Sequence, residues 1–291
     1  MMTGINRPEQ RLENIQAVEP ILSALRTVSQ ASMQSARRQL SALQRYGSDL
    51  LDLTAWLPVE AEVLGPGDEK AQSRMLMIAF GSDRGLCGSF NTDLAKELLN
   101  QLNELGTPEV ELEVWALGLR LNSALDRRGF HPDHAERFAR RSVPEFQKAN
   151  RLTRRMLESY RTGRYNRVLV LFHRHRRGGR YLSFLEQLLP VEKEGIRRQE
   201  SEEIWPPPIL ETDPKGLLRR LLIQAVEINF YEFMLASSEA EHAARYQILE
   251  NAAQNTEQLM EELQMEVQLA RQQAITTEML DLVAAAGLIK S

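Results

Sequence analysis

The last quarter of the chain, residues 213–291, constrains the fold most, because it is one long stretch free of helix-breaking residues. After Pro214 it contains no further proline, and its only glycines are Gly216 and Gly287, near its two ends. Ala, Leu, Glu, Gln, Met and Arg dominate it, and all are good helix formers. One helix over these residues would be on the order of 100 Å long at about 1.5 Å per residue. That exceeds the core of a compact domain, so the helix must find partners along its length.

Small and apolar residues recur in this stretch at alternating spacings of four and three, which is the heptad pattern of a coiled-coil seam. The row consists of Leu249, Ala253, Thr256, Met260, Leu263, Val267, Ala270 and Ala274. A similar row, broken at Gln39, consists of Ile15, Val18, Leu22, Leu25, Ser29, Ser32, Ala36 and Leu43. We therefore predict a long antiparallel two-helix coiled coil, formed by an N-terminal helix within residues 1–63 and a C-terminal helix over residues 214–291.

Pro20 lies inside the N-terminal row. A proline within a helix removes one backbone hydrogen bond and usually kinks the helix or marks the start of a new one. Either the N-terminal helix is bent at Pro20, or a second helical piece begins there.

The middle of the chain has a different period. After a turn-rich linker at residues 64–73 come short apolar runs typical of buried strands, at residues 75–80, 111–117 and 166–172, with a further candidate at 181–191. Helical patterns lie between them, at residues 92–105, up to 128, and at 144–161. Such alternation predicts an α/β fold class with a mainly parallel sheet. We expect a Rossmann-like α/β domain over residues 74–191, inserted between the two long helices, and a connector over residues 192–213.

Composition excludes several classes of protein and site. The hydrophobic and charged fractions, 43% and 26%, are those of a soluble protein, and the net charge of −4 argues against binding of nucleic acid by the whole chain. A single cysteine, Cys87, excludes an internal disulfide framework, and five histidines show no metal-binding spacing. We expect no cofactor, no metal and no signal peptide, and hence a location in the cytosol or on the cytosolic face of a membrane.

Three stretches resemble the gamma subunit family of F-type ATP synthase, the central shaft of that rotary motor. They are GSDRGLCGSFN (81–91), ETDPKGLLRRLL (211–222) and the long run from SEAEHAAR to the final alanines (238–286). Their order and spacing match the family, and the resemblance covers essentially the whole chain.

The resemblance implies a mechanical role without catalytic residues of its own. In the family, the coiled coil enters a ring of alpha and beta subunits, and the foot sits on the membrane c-ring beside the epsilon subunit. Ion flow turns the c-ring and the shaft, and the shaft drives the catalytic beta subunits through their conformations. The implied location is peripheral, on the cytoplasmic face of the bacterial plasma membrane.

The resemblance also implies partner-binding residues. Arg271, Gln272, Thr276 and Glu278 match positions that hydrogen-bond a beta-subunit loop, the catch. Arg37 and Arg38 are the remainder of a basic cluster expected to face beta, and Glu211 and Asp213 match an acidic stretch near the c-ring. The plainer interpretation of the first set is a solvated helix face. That of Asp213, which precedes Pro214, is an N-cap, and Glu211 is left open.

Other patterns leave alternatives open. Gly81, Asp83, Arg84, Gly85 and Gly88 match no phosphate-binding motif, so we interpret them as a structural turn, with Cys87 as a buried packing residue. The arginine-rich stretch over residues 137–180 is interpreted first as a solvated basic face. Remaining alternatives are the shaft of a secondary, sodium-translocating rotary ATPase, a coiled-coil scaffold with a basic RNA-binding face, and a small-molecule or nucleotide-binding enzyme.

Overall fold

The computed structural model describes residues 3–54, 73–106, 110–191 and 211–285. It divides into two compact units, one made of residues 1–28 and 247–291 and the other of residues 29–246. The predicted linker lies outside the described residues except for Ser73, and so does the connector except for residues 211–213. The domain boundaries drawn from the sequence stay a prediction.

The described residues form five α-helices, five strands and one short 3-10 turn. The helices are α1 (Thr3–Thr54), α2 (Phe90–Leu105), α3 (Leu119–Asp126), α4 (Phe146–Arg161) and α5 (Pro214–Ala285). The strands are β1 (Ser73–Phe80), β2 (Val110–Leu117), β3 (His134–Glu136), β4 (Arg167–His175) and β5 (Tyr181–Leu189), with the 3-10 turn at Arg177–Gly179.

Helix α1 runs through both Pro8 and Pro20 without interruption. The alternative that a second helical piece begins at Pro20 is therefore wrong. The carbonyl of Gln16 loses its usual donor at Pro20, but both residues are exposed, so water can satisfy that carbonyl.

In the first unit, the predicted row is the most protected side of α5. Leu249, Leu263 and Val267 are at most 5% exposed, and the other members of the row are half-buried. Two ion pairs link α5 to α1, Arg26 with Glu250 and Arg271 with Glu9, so the two helices run in opposite directions. The α1 row is less covered, since Val18 is 47% exposed. Interlocking coiled-coil packing along the two rows stays a prediction.

In the second unit, the strands form one sheet in the order β3-β2-β1-β4-β5. The pairs β1–β2, β1–β4 and β2–β3 are parallel, and β4–β5 is antiparallel. The mixed, mainly parallel sheet confirms the predicted α/β class. The candidate strand at residues 181–191 is confirmed as β5, whereas the three-residue β3 has no counterpart in the prediction.

Alternate side chains of each central strand enter different cores, as the pleat of a strand requires. Leu76, Ile78 and Phe80 of β1 pack with α4 and with Val226 and Phe230 of α5. Met77 and Ala79, on the opposite face, pack against α2 and α3. Burial on both faces explains why these strands are continuous apolar runs in the sequence.

The carboxyl ends of the parallel strands carry a close backbone contact at Gly118, between β2 and α3. Its φ is +131°, and a Cβ built there would lie 2.7 Å from the carbonyl carbon of Gly81 and 2.9 Å from the backbone nitrogen of Ser82. Only glycine fits, because both neighbours are backbone atoms that cannot rotate away.

Replacing Gly118 by alanine should lower the free energy of unfolding by about 3 kcal/mol or more, since backbone strain and steric overlap add. Gly129→Ala is the matched control: its φ is +74°, but nothing lies within 4 Å of the added carbon, so only about 1 kcal/mol of strain is expected. Urea unfolding of the two variants measures the difference. Equal losses of unfolding free energy would show that the close contact with Gly81 adds nothing to the cost of the substitution at Gly118.

Candidate partner-binding surfaces

The four residues predicted to bind a beta subunit lie on the exposed surface of α5. Both Nε and Nη2 of Arg271 donate to Oε1 of Glu9 on α1, at 3.0 and 2.7 Å. The hydroxyl of Thr276 donates to the carbonyl of Gln272 at 2.8 Å. At 3.6 residues per turn, Gln272 and Thr276 share one face of the helix, and Arg271 shares another with Glu278.

Large apolar side chains surround these polar residues and were not singled out in the sequence. They are 57–65% exposed and comprise Met265, Leu269, Ile275, Met279, Leu280 and Leu282. Helical spacing places four of them on the side of α5 opposite Leu263 and Val267, and the other two, Ile275 and Leu282, on its flank. The end of α5 is therefore apolar on both sides. A helix of that kind is normally buried on both sides.

Arg37 and Arg38 are both exposed on α1. Nε of Arg37 lies 3.7 Å from Oε1 of Glu239 on α5, a loose ion pair whose arginine side chain is 71% exposed. Both guanidinium groups are thus accessible to a partner.

Asp213 caps α5. Its Oδ2 accepts the backbone N–H of Gly216 at 2.8 Å, and its Oδ1 accepts that of Lys215 at 3.3 Å. Pro214 is the first helical residue, where its missing N–H has no consequence. The plainer interpretation of Asp213 is confirmed. Glu211 is exposed beside it.

Side chains of the turn at residues 81–91 bond backbone groups of the turn itself and of neighbouring segments. The carboxylate of Asp83 accepts three backbone N–H groups, from Leu119, Phe138 and Ala139, at 2.8–3.1 Å. The side chain of Asn91 accepts the N–H of Ser82 and donates to the hydroxyl of that residue. Cys87 is 3% exposed, and burial raises the pKa of its thiol. These contacts support the interpretation as a structural turn and a packing cysteine.

A buried charge cluster joins this turn to α5. The guanidinium of Arg245 donates to the carbonyls of Gly85 and Arg84 and, at 2.6 Å, to the carboxylate of Glu241. Both side chains of the ion pair are less than 10% exposed. Burial raises the pKa of Glu241, and the charge of Arg245 opposes that shift.

His242 completes the cluster in its neutral form. Its Nε2 lies 2.6 Å from the carbonyl of Ser142, so that nitrogen carries the proton, and Nδ1 accepts from Nη1 of Arg245 at 3.1 Å. Burial lowers the pKa of His242 from 6.5 to about 4. The ring is therefore uncharged at neutral pH and adds no positive charge beside Arg245.

Sequence reasoning missed this cluster because charged residues on a long helix are usually solvated. One signal was present in SEAEHAAR, residues 238–245: Glu241 and Arg245 stand one turn apart among alanines, whose small side chains let other backbone come close.

Four of the thirteen arginines at residues 137–180 form ion pairs with carboxylates. Arg151, Arg154, Arg164 and Arg174 pair with Glu136, Glu227, Glu113 and Glu186, respectively. These pairs offset only part of the positive charge, and the interpretation as a solvated basic face stays a prediction.

Comparison with known proteins identifies the family. A family model described as ATP synthase matches residues 5–287. The ATP synthase gamma chain of Geotalea uraniireducens (strain Rf4) is 29% identical over 292 residues, which cover 99% of this chain and all of that one. This chain belongs to the ATP synthase gamma family. The gamma chain of Parabacteroides distasonis is 27% identical over 289 residues, with 99% of each chain covered.

Solved structures share the fold of this gamma family member. A chain of the Euglena gracilis mitochondrial ATP synthase (OSCP/F1/c-ring) has a TM-score of 0.61 at 17% identity and covers 98% of this chain and 94% of its own. A chain of the Tetrahymena thermophila mitochondrial ATP synthase central stalk and c-ring has a TM-score of 0.56 at 19% identity, covering 80% of this chain and 99% of its own. Among the described helices, none is long and apolar enough to cross a membrane.

Substitution of Arg245 by methionine should lower the free energy of unfolding by about 3–5 kcal/mol, because Glu241 would be left buried without a partner. The double variant R245M/E241L removes both charges and should lose less than R245M alone. Arg26→Met, which breaks the more exposed pair with Glu250, is the control and should lose about 1 kcal/mol or less. Denaturant unfolding of the three variants measures these losses. A lower free energy of unfolding for the double variant than for R245M would contradict the prediction.

Proposed function

We propose that this chain is the central-stalk gamma subunit of a rotary F-type ATP synthase, which transmits rotation between an ion-driven membrane c-ring and a catalytic alpha/beta hexamer. The observation that carries the proposal is α5, a continuous helix of 72 residues in a chain whose family match spans residues 5–287. The chain contributes contacts and stiffness to the complex, and the catalytic residues belong to its partners.

The exposed end of α5 supports insertion into a partner. Its outward apolar side chains, Met265 and Leu269 among them, are more than half exposed, and several large exposed apolar side chains at one helix end are typical of an interaction site. We infer that the alpha/beta hexamer surrounds this end. Interlocking of α1 and α5 as a coiled coil would give the inserted segment its stiffness.

The polar residues at this end suit contacts that form and break. The ion pair of Arg271 with Glu9 is 64% and 32% exposed at its two side chains, so it contributes only about 0–1 kcal/mol and can be exchanged. Gln272 and Thr276 face outward among the apolar side chains, and Glu278 flanks them. We infer that these four residues bind a loop of a beta subunit.

The remaining predicted contacts follow the same proposal. Arg37 and Arg38 offer exposed cations to acidic groups of beta. Glu211 offers an exposed carboxylate to the c-ring, while both oxygens of Asp213 already accept capping bonds, so Asp213 would contact the c-ring only through their remaining lone pairs. We further propose that epsilon binds beside the foot and that the complex places this chain peripherally, on the cytoplasmic face of a bacterial plasma membrane.

Co-expression with the alpha and beta subunits of the same genome tests assembly. The chain should co-elute with them as one large complex that hydrolyses ATP. Leu263→Asn with Val267→Asn should weaken the complex, because each buried position loses about 2–5 kcal/mol of packing. Gln264→Asn with Gln268→Asn, at the adjacent exposed positions, is the matched control. Elution of the chain alone, while alpha and beta assemble without it, would refute the proposed function.

A second pair of variants separates partner binding from helix pairing at Arg271. Arg271→Gln and Glu9→Gln break the same internal ion pair, but only the first removes the guanidinium offered to beta. We expect R271Q to lower the ATPase activity of the assembled complex by about tenfold, the value of one lost charge-assisted hydrogen bond, and E9Q to leave it within about twofold. Equal losses of ATPase activity in the two variants would show that Arg271 serves only to pair α1 with α5.

A further inference from the structure

A cavity lined by arginines lies at the carboxyl ends of the parallel strands in the second unit. Its volume is about 250 Å³, and its lining includes Arg84, Arg137, Arg140 and Arg141 together with Asp83 and His242. We refer to it as the arginine cavity. Arg84 follows β1, and the other three arginines follow β3. In open α/β sheets, ligands bind beyond the carboxyl ends of the strands, where the strand order reverses. In this sheet the order reverses between β1 and β4, so Arg84 is the one of the four that follows a strand at that point.

The four arginines carry positive charge that the described residues do not neutralise. All four are exposed, and the ion pairs found between described residues reach other arginines, such as Arg151 and Arg164. The two acidic side chains of the cavity are already engaged: Asp83 by three backbone N–H groups and Glu241 by Arg245. The cavity therefore presents more guanidinium groups than free carboxylates.

The backbone that carries Arg140 and Arg141 is held at both ends. On one side, the N–H groups of Phe138 and Ala139 donate to Asp83 at 3.0 and 2.8 Å. On the other, the carbonyl of Ser142 accepts the Nε2 proton of His242 at 2.6 Å. Phe138 itself is 1% exposed in the core. The segment between these anchors needs little further ordering when a ligand binds, which favours affinity.

The backbone of Arg84 is anchored in a similar way. Its carbonyl accepts both the hydroxyl of Ser82 at 2.8 Å and the guanidinium of Arg245 at 3.2 Å. The arginines that line the cavity thus stand on two segments whose backbone is anchored.

We propose that the arginine cavity binds a phosphate group, carried by a free phosphate anion or by a nucleotide. Guanidinium matches the oxygens of phosphate in pairs of parallel hydrogen bonds and keeps its charge at all physiological pH values. The cavity is smaller than the pockets of about 300–1,000 Å³ that enclose drug-sized ligands. It fits a phosphate or diphosphate, and a nucleoside attached to one would remain outside.

Calorimetric titration of the purified full chain tests the proposal, with sodium pyrophosphate, orthophosphate, ATP and adenosine as probes at one fixed ionic strength. Pyrophosphate should bind saturably, and more tightly than orthophosphate. Arg140→Gln with Arg141→Gln should raise the dissociation constant for pyrophosphate by about tenfold or more, since charge-assisted hydrogen bonds are lost. Arg127→Gln with Arg161→Gln removes the same charge from exposed positions outside the cavity and should change it by less than about twofold.

The outcomes separate the sources of the phosphate. Equal binding of pyrophosphate and ATP, with none of adenosine, would mean that a free phosphate anion suffices. Tighter binding of ATP, lost in the same variant, would identify a nucleotide. Absence of saturable binding by pyrophosphate, or equal weakening in both double variants, would overturn the proposal. The proposal is independent of the shaft function, because assembly with alpha and beta is not required for the titration.

Discussion

The guanidinium of Arg245 makes the interaction that fixes the position of α5 relative to the sheet. It donates to two carbonyls of the turn after β1, to the carboxylate of Glu241 and to the ring of His242. Arg245 is only 6% exposed, so bulk water cannot replace any of these bonds. A buried arginine is stable only when its donors are satisfied together, so the turn and the helix must keep one relative position.

Apolar packing alone would not fix that position. Val226, Phe230 and Met234 of α5 pack against the same face of the sheet as Ile78 and Phe80, and this burial supplies most of the stabilising free energy. Such contacts are non-directional, whereas hydrogen bonds have strict distances and angles. The cluster around Arg245, together with the bond from Ser237 to the carbonyl of Phe80 at 3.1 Å, sets the register of α5 on the sheet. A shaft that transmits rotation needs that register more than it needs further burial.

The sequence was sufficient for elements with a strong local pattern and insufficient for contacts between distant residues. The long helices and the doubly buried strands carry apolar patterns that are long enough to be recognised. The row from Leu249 to Ala274 coincides with the protected side of α5. Strand β3 has only three residues, too few for any period. The pairing of Arg271 with Glu9 leaves no local trace. Arg245 was misleading for a different reason, because a charged residue on a helix normally indicates solvent.

The two ion pairs of α5 that involve Arg245 and Arg271 differ in a way that fits a moving part. The side chains of Arg245 and Glu241 are 7% and 9% exposed, and breaking such a pair costs about 3–5 kcal/mol. The side chains of Arg271 and Glu9 are 64% and 32% exposed, and such a pair contributes about 0–1 kcal/mol. A subunit that meets successive partners must release its outer contacts at each step while its internal contacts persist. If Arg271 binds beta as proposed, its pair with Glu9 can open at each step, because thermal energy of about 0.6 kcal/mol is comparable with the free energy of the exposed pair. The same thermal energy is far below the cost of breaking the buried pair of Arg245.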